Sequence, residues 1–260
     1  MAWKGLIMLE MDIKTYAKHA RIWGLYGSDQ TEEYDYQYKY AEKFGKNILY
    51  AACGVGTMGA YMAERGFNVT AFDRTPEMIE EGLKRFGGIE NLKLLQGDVR
   101  DFNFDIAPVD FCTCACFGYL LNIEDIRKAL TCINRHLRVG GCLLVEDWFR
   151  QPNEKTEYYP PKRFDFGEVL PGVNVWKINT DKCRHDGENG RHYISQEVHI
   201  EEDGVVEMFN HEFYLQSYYR DEWVNALHDA GFAWENEYKN REKELWQEGD
   251  ESWFVEAIKV

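Results

Sequence analysis

The sequence predicts an α/β protein with a doubly wound, seven-stranded sheet and an antiparallel β-rich insertion after the fifth strand. Three observations carry that expectation. Short apolar runs alternate with helix-period segments between residues 46 and 150, the pattern of a largely parallel sheet covered on both faces. A glycine-rich turn from Cys53 to Gly59 joins the first apolar run to the first of these helices. After residue 151 the helical period gives way to alternating segments separated by turn residues.

Residues 1–45 precede the first core strand and are read as an N-terminal helical lid. Met11 to Tyr26 has helical character, with Tyr16, Ala20, Trp23 and Tyr26 three or four apart. That aromatic face either packs on the domain or turns toward a pocket. Ser28 and Asp29 can cap a helix running into Phe44.

Residues 46–150 form the core unit. Ile48 to Ala52 is a buried strand, Met58 to Arg65 a helix, and Gly66 its left-handed stop. Val69 to Phe72 is the second strand, with Asp73 at its carboxyl end. Thr75 and Pro76 open a helix from Glu77 to Phe86, which Gly87 and Gly88 end. Leu92 to Gln96, Val109 to Ala115 and Cys142 to Glu146 are the next three strands. Ile123 to Leu137 is an amphipathic helix before a turn at Gly140 and Gly141.

Gln151 to Pro161 is a polar, proline-bearing crossing into the insertion, which occupies residues 151–219 and is expected to cover the substrate. Val173 to Asn179, His192 to Ile200 and Val205 to Leu215 read as its antiparallel strands, with Asp203 and Gly204 marking a hairpin. Residues 220–260 return to the core: a helix from Arg220 to Ala230, then strands Phe232 to Tyr238 and Trp253 to Val260 around an acidic loop.

Composition narrows the partners. The 260 residues carry a net charge of -15 and no Lys/Arg block, so no basic face is expected for nucleic acid. No apolar run approaches the roughly 20 residues of a membrane span, and Met1 to Glu10 lacks the pattern of a signal peptide. The seven cysteines form no short disulfide framework, so a cytoplasmic location is the expectation. Aromatics at 15% suit a pocket for a small-molecule substrate. A free edge in the insertion could pair with a second copy, which leaves a homo-oligomer open.

Gly54, Gly56 and Gly59 satisfy G-x-G-x-x-G, and Asp73 follows about 20 residues later, the fingerprint of a dinucleotide-type loop. The glycines let a ligand touch backbone, and the acid can hold a ribose diol, so the ligand carries an adenosine. Cys112, Cys114 and Cys116 alternate on the fourth strand and read as buried thiols rather than a metal site. Glu146 and Asp147 end the fifth strand, where either could hold a substrate amine or cap the next loop. His211 and Glu212 are candidate bases in the insertion, against the plainer reading of a solvated histidine.

Four segments in order narrow the cofactor: Ala52 to Thr57, Asp73 to Met78, Gln96 to Val99 and Leu137 to Gly141. Together they resemble the ordered motifs of class I S-adenosylmethionine-dependent methyltransferases, whose sheet is Rossmann-like. Ala20 to Tyr26, reading Ala-Arg-Ile-Trp-Gly-Leu-Tyr, and Ser217 to Tyr219 are similar to stretches of glycine N-methyltransferases. The resemblance implies S-adenosyl-L-methionine held by Tyr16, Trp23, Ala52, Gly54, Gly56, Asp73, Arg74, Met78, Asp98, Val99 and Cys116. It implies an acceptor site at Tyr26, Phe117, Tyr119 and Trp148, with Glu146, Tyr218, Tyr219 and His211 serving the chemistry. This chain departs from the family at Tyr50, where an acid is usual, and at Phe117, where asparagine is usual. An arginine near Gln30 and Thr31 is missing, and the one near Phe149 falls instead at Arg150, so glycine itself is not the expected acceptor. The expected reaction is methyl transfer to an amino group of a small molecule. An O-methyltransferase shares every cofactor residue; an NAD-dependent oxidoreductase or a noncatalytic cofactor-binding protein shares the glycine loop.

Overall fold

The computed structural model describes residues 20–25, 31–114, 116–148, 150–151, 154–247, 250 and 252–260. Of residues 31–33, 148, 252 and 253 it describes the backbone alone. The readings placed on residues 11–19, on Tyr26 and on Ser28 and Asp29 therefore lie outside the described residues, as does the side chain of Trp148.

The first unit is a seven-stranded sheet. Its strands are β1 (Asn47–Ala51), β2 (Asn68–Asp73), β3 (Leu92–Gln96), β4 (Val109–Cys114), β5 (Leu137–Trp148), β12 (Phe232–Tyr238) and β13 (Ser252–Lys259). They lie in the order β12–β13–β5–β4–β1–β2–β3. The first five run parallel, and β13 is antiparallel to both of its neighbours. Chain order reverses at β1, so the strand ends beside β1 and β4 form the crevice where an open α/β sheet takes its ligand.

Alternation puts each strand residue on one of two layers. Helices α1 (Thr31–Ala41) and α2 (Thr57–Glu64) cover one face, burying Tyr40, Met62 and Ala63 against Ile48, Phe111 and Leu144. Helices α4 (Ile123–His136) and α5 (Arg220–Asp229) cover the other, over Leu49, Cys112, Leu143 and Val255. Asn122 caps α4 by accepting from the Asp125 N–H at 2.9 Å. Helix α3 (Pro76–Phe86) packs beside β2 and β3 and opens on Thr75 and Pro76, as the sequence predicts.

Between these is the insertion, a second sheet of β6 (Glu157–Tyr158), β7 (Lys162–Leu170), β8 (Val173–Asn179), β9 (Arg184–Asp186), β10 (Arg191–Glu202) and β11 (Val205–Gln216). The three strands read from sequence are present. Strand β7 was not expected, because KRFDFGEVL mixes charge with apolar residues. The Pro171–Gly172 corner, with Gly172 at φ 76°, folds it back on β8.

Two other expectations shift. Strand β5 begins at Leu137 rather than Cys142 and carries Gly140, at φ 73°, through an irregularity in its pairing with β4. Strand β4 ends at Cys114, so Cys116 lies on the loop beyond it, just before a 3-10 turn at Phe117–Tyr119.

Residues 20–25 join the two sheets. They form a turn, with Leu25 N–H donating to Ile22 C=O at 3.1 Å. Ile22, 1% exposed, sits among Val173, Val175, Val198, Ile200 and Phe209 of the insertion. Arg21 pairs with Glu202 of β10 at 2.6 Å. From the other side, the Arg85 guanidinium at the end of α3 donates to the carbonyls of Trp23 at 3.0 Å and Ala20 at 3.2 Å, and to that of Arg21.

Candidate active site

Strand β1 runs into a loop of left-handed residues: Ala52 at φ 56°, Gly54 at 57° and Gly56 at 84°. Glycine adopts that region freely, whereas Ala52 is strained there by roughly 1–2 kcal/mol. Asp73, at the end of β2, organises the loop. Its Oδ2 accepts from Gly54 N–H at 2.9 Å and its Oδ1 from Thr75 N–H at 2.9 Å. Burial raises the Asp73 pKa, and the two N–H donors oppose that shift without overcoming it. A carboxylate offers about four lone-pair sites, and with the Thr75 side chain also bonded to Asp73 some of that capacity is left for a ligand diol.

The other strand-end groups gather here. Arg74 is close enough to both Asp73 and Asp98 to favour their ionised forms. Asp98 is bound to Arg100, with Nε at 2.9 Å and Nη2 at 2.6 Å, and that pairing holds its carboxyl below the usual range. Arg100 also reaches Asp125 at 3.2 Å. The Asp98 carboxylate, expected on adenine, is thus already paired, which leaves its remaining lone pairs and the backbone of Val99. The Cys116 sulfur lies 3.4 Å from that of Cys114. Its pKa is pushed well up, first by that contact, then by burial and by the charges of Asp73 and Asp98. Val99 is buried in the core beneath, and Met78 packs with Val55 and Ala20.

Trp23 lies on the glycine loop: a Cβ built on Gly54 would stand 2.6 Å from its Nε1. Because Ile22 and Arg85 hold the turn independently, Trp23→Ala is expected to raise KM for the cofactor severalfold while the melting midpoint stays within a few degrees. A large fall in the midpoint with normal kinetics per folded molecule would make Trp23 a packing residue.

The insertion faces the same crevice. Phe213 of β11 approaches Tyr119, with ring centroids 5.7 Å apart, and Phe209 packs on Ile22. Alternation therefore turns Phe209, His211 and Phe213 toward the core. Across the sheet, His211 is opposite Gln196, and Gln196 is opposite Asn179. Gln196 Nε2 donates to Asn179 Oδ1 at 2.9 Å, and the His211 ring, 2% exposed, lies 4.7 Å from that of Phe213. Two register positions away, on the same face, is Lys177. Of this polar row the sequence singles out His211, while Lys177, Asn179 and Gln196 escape it. The only signal is that Lys177 and Asn179 share a parity with the apolar Val173 and Val175.

Several expected site residues are placed elsewhere. Phe117 is 2% exposed and edge-on to Trp223 at 5.2 Å, so it is a core residue rather than a pocket wall. Tyr218, 4% exposed, donates its hydroxyl to the Leu120 carbonyl and is likewise part of the core. Glu146 points to the sheet face opposite Asp147, where Arg241 meets it at 3.2 Å. Tyr219 lies under the Arg150 guanidinium at 4.6 Å, and that arginine donates to the carbonyls of Gly187 and Glu188. Arg150 therefore closes the base of the insertion. Tyr16 and Tyr26 lie outside the described residues.

The sheet order and strand-end loop define an open α/β fold built for an adenosine cofactor. Residues 48–141 match the family described as "Methyltransferase domain". A Saccharopolyspora spinosa protein, dTDP-4-amino-2,3,4,6-tetradeoxy-D-glucose N,N-dimethyltransferase, is 28% identical over 193 residues, 72% of this chain and 71% of that protein. A demethylmenaquinone methyltransferase of Clavibacter sepedonicus is 33% identical over 108 residues, 42% of this chain and 43% of that one. Among solved structures, an S-adenosylmethionine-dependent methyltransferase from Clostridium acetobutylicum shares the fold with TM-score 0.70 and 15% identity, over 89% of this chain and 92% of that chain. The protein is an S-adenosylmethionine-dependent methyltransferase with the class I fold. The residues present fit that cofactor: a glycine loop open to backbone contact, a carboxylate with lone-pair capacity to spare, and the buried Thr57 hydroxyl, which has no hydrogen-bond partner among the described residues at the start of α2.

Proposed function

We propose that the enzyme methylates an amino group of a small, polar molecule, of which an amino sugar is the type. Two observations support this reading. The relative that aligns over most of the chain is described as an amino-sugar N,N-dimethyltransferase. The observation that carries it is the row of Asn179, Gln196 and His211 on the core-facing side of the insertion, beside the Phe213 and Tyr119 rings. Amide and imidazole groups suit hydroxyls, and ring faces suit the apolar side of a sugar and a nearby cation.

When bound, S-adenosylmethionine supplies a methyl carbon on a positively charged sulfur, which an amine lone pair attacks in line as the carbon–sulfur bond breaks. The chain's part is to place the two reactants. In this reading Asp73 holds the ribose diol, the backbone of Ala52 to Gly56 holds the amino-acid end, and Trp23 closes over it. The Asp98 carboxylate and the backbone of Val99 border the adenine. Tyr119 and His211 border the acceptor. Alignment of this kind can supply about 7–11 kcal/mol of the barrier.

A neutral amine needs no strong base, since its proton leaves after the bond forms. Changing Glu146, Asp147, His211 or Glu212 singly to the amide or alanine is therefore expected to lower kcat by less than about 100-fold, the lower end of a base's contribution. The kcat/KM for a panel of amines should rise with pH toward each amine's own pKa. A loss of about 1,000-fold from one of these four changes, with a pH profile independent of the acceptor, would assign a hydroxyl acceptor instead.

A further inference from the structure

We propose that Lys177 is an anion-binding residue of this site, engaging a carboxylate or phosphate carried by one of the two ligands that meet there. The inference extends the reading of the crevice as the methyl-transfer site, but not the choice of nitrogen as acceptor.

The argument begins with position. Lys177 is on β8, where alternation sends it to the same side as Val173 and Val175, which pack on Ile22. Its cross-strand neighbour on β10 is Val198, also on that cluster, and the next row holds Asn179, Gln196 and His211. The ammonium lies 5.9 Å from the Trp23 ring centroid and 5.8 Å from that of Phe166. Trp23 in turn lies on Gly54. A strand of the insertion thus brings a cation to the side of the glycine loop.

Charge makes the placement informative. The chain has 45 acidic and 30 basic residues, so an anionic ligand approaches against the overall field. At the strand ends Arg100 is already paired with Asp98, and Arg74 lies close to both Asp73 and Asp98. A ligand bearing a carboxylate or phosphate needs a local cation there. Lys177 is half-buried, and burial pulls its pKa down to about 8, the direction expected of an ammonium taken from water. An anion brought against it favours the charged form, and the contact strengthens as water is excluded. The flanking rings support the four-carbon stem, as apolar surface commonly does for lysine.

Two sources supply that chemistry: the carboxylate on the amino-acid end of the cofactor, and an acidic group on the acceptor. Calorimetry separates them, using the intact protein and its Lys177→Met and Lys177→Arg variants. Methionine keeps the apolar stem against Trp23 and Phe166, and arginine keeps the charge. Circular dichroism and melting establish that each variant folds. The probes are S-adenosylhomocysteine, which has the carboxylate, and methylthioadenosine, which lacks it.

If the cofactor supplies the anion, Lys177→Met weakens S-adenosylhomocysteine by about 10-fold or more, the scale of a hydrogen bond to a charged group. Methylthioadenosine is then unaffected, and Lys177→Arg stays near the parent. If the acceptor supplies it, S-adenosylhomocysteine binds equally to all three proteins. Inorganic pyrophosphate then binds the parent and Lys177→Arg complexes with S-adenosylhomocysteine, and not the Lys177→Met complex. Unchanged S-adenosylhomocysteine affinity, together with no Lys177-dependent pyrophosphate binding, overturns the proposal. Equal weakening of both adenosine probes by Lys177→Met also overturns it, since that marks a packing defect. None of these outcomes depends on whether the acceptor is an amine.

Discussion

Asp73→Ala is expected to weaken S-adenosylhomocysteine binding by about 10- to 150-fold, corresponding to ~1.5–3 kcal/mol for a hydrogen bond to a charged group. Two effects combine. The carboxylate that would hold the ribose is removed, and Gly54 N–H and Thr75 N–H lose the acceptor that shapes the loop. The melting midpoint should fall as well, because an orphaned buried donor costs about 1–3 kcal/mol. The pH dependence follows from the sign of the shift. Burial raises the Asp73 pKa, so on acidification it protonates before an ordinary aspartate, and cofactor affinity falls as pH drops through that value. Asp73→Asn should be weak at every pH and lose this acid limb. Titration of the three proteins from neutral pH down to about pH 4, near the ordinary aspartate value, checks both points. Parent-like affinity in folded Asp73→Ala would remove Asp73 from the site.

Gly82→Ala is expected to be the second large effect, and its sign runs against helix propensity. In the middle of a helix alanine usually stabilises by roughly 0.5–1 kcal/mol over glycine. Here the new Cβ would lie 2.4 Å from the Val55 carbonyl oxygen and 3.0 Å from Leu94 Cδ1. The first of these is backbone and cannot rotate away, so α3 must move off the glycine loop. Overpacking of this kind costs about 1–3 kcal/mol. Since Val55 lies between Gly54 and Gly56, the shift should also weaken S-adenosylhomocysteine severalfold. A higher melting midpoint with unchanged affinity would contradict the close approach of α3 to the loop.

The cofactor half was legible because its signals are local. The glycine spacing and the Thr75–Pro76 helix start sit within a few residues of the group they serve, and Asp73 lies at the end of the strand that follows the loop, 19 residues from Gly54. The acceptor half was read less well. Phe117 and Tyr218 looked like pocket aromatics by their place after β4 and β11, but an aromatic side chain is equally suited to a core, and Trp223 takes both. Glu146 and Asp147 are adjacent in sequence and on opposite faces of a sheet, which period-2 alternation requires. Arg150, adjacent to the place where the resemblance puts a substrate arginine, donates through Nη2 to the backbone carbonyls of Gly187 and Glu188.

The sequence by itself determined the doubly wound sheet, the position of the insertion and the loop that Asp73 organises, since each follows from periodicity or from residues close along the chain. Only the tertiary structure decided what the insertion presents to that loop. Asn179, Gln196 and His211 come from three strands and become a row only once their registers are set. Lys177 comes beside Trp23, and through it near the glycine loop, only because Ile22, Trp23 and Arg85 tie the two sheets together through side chains up to about 190 residues apart, contacts whose closure no local pattern encodes.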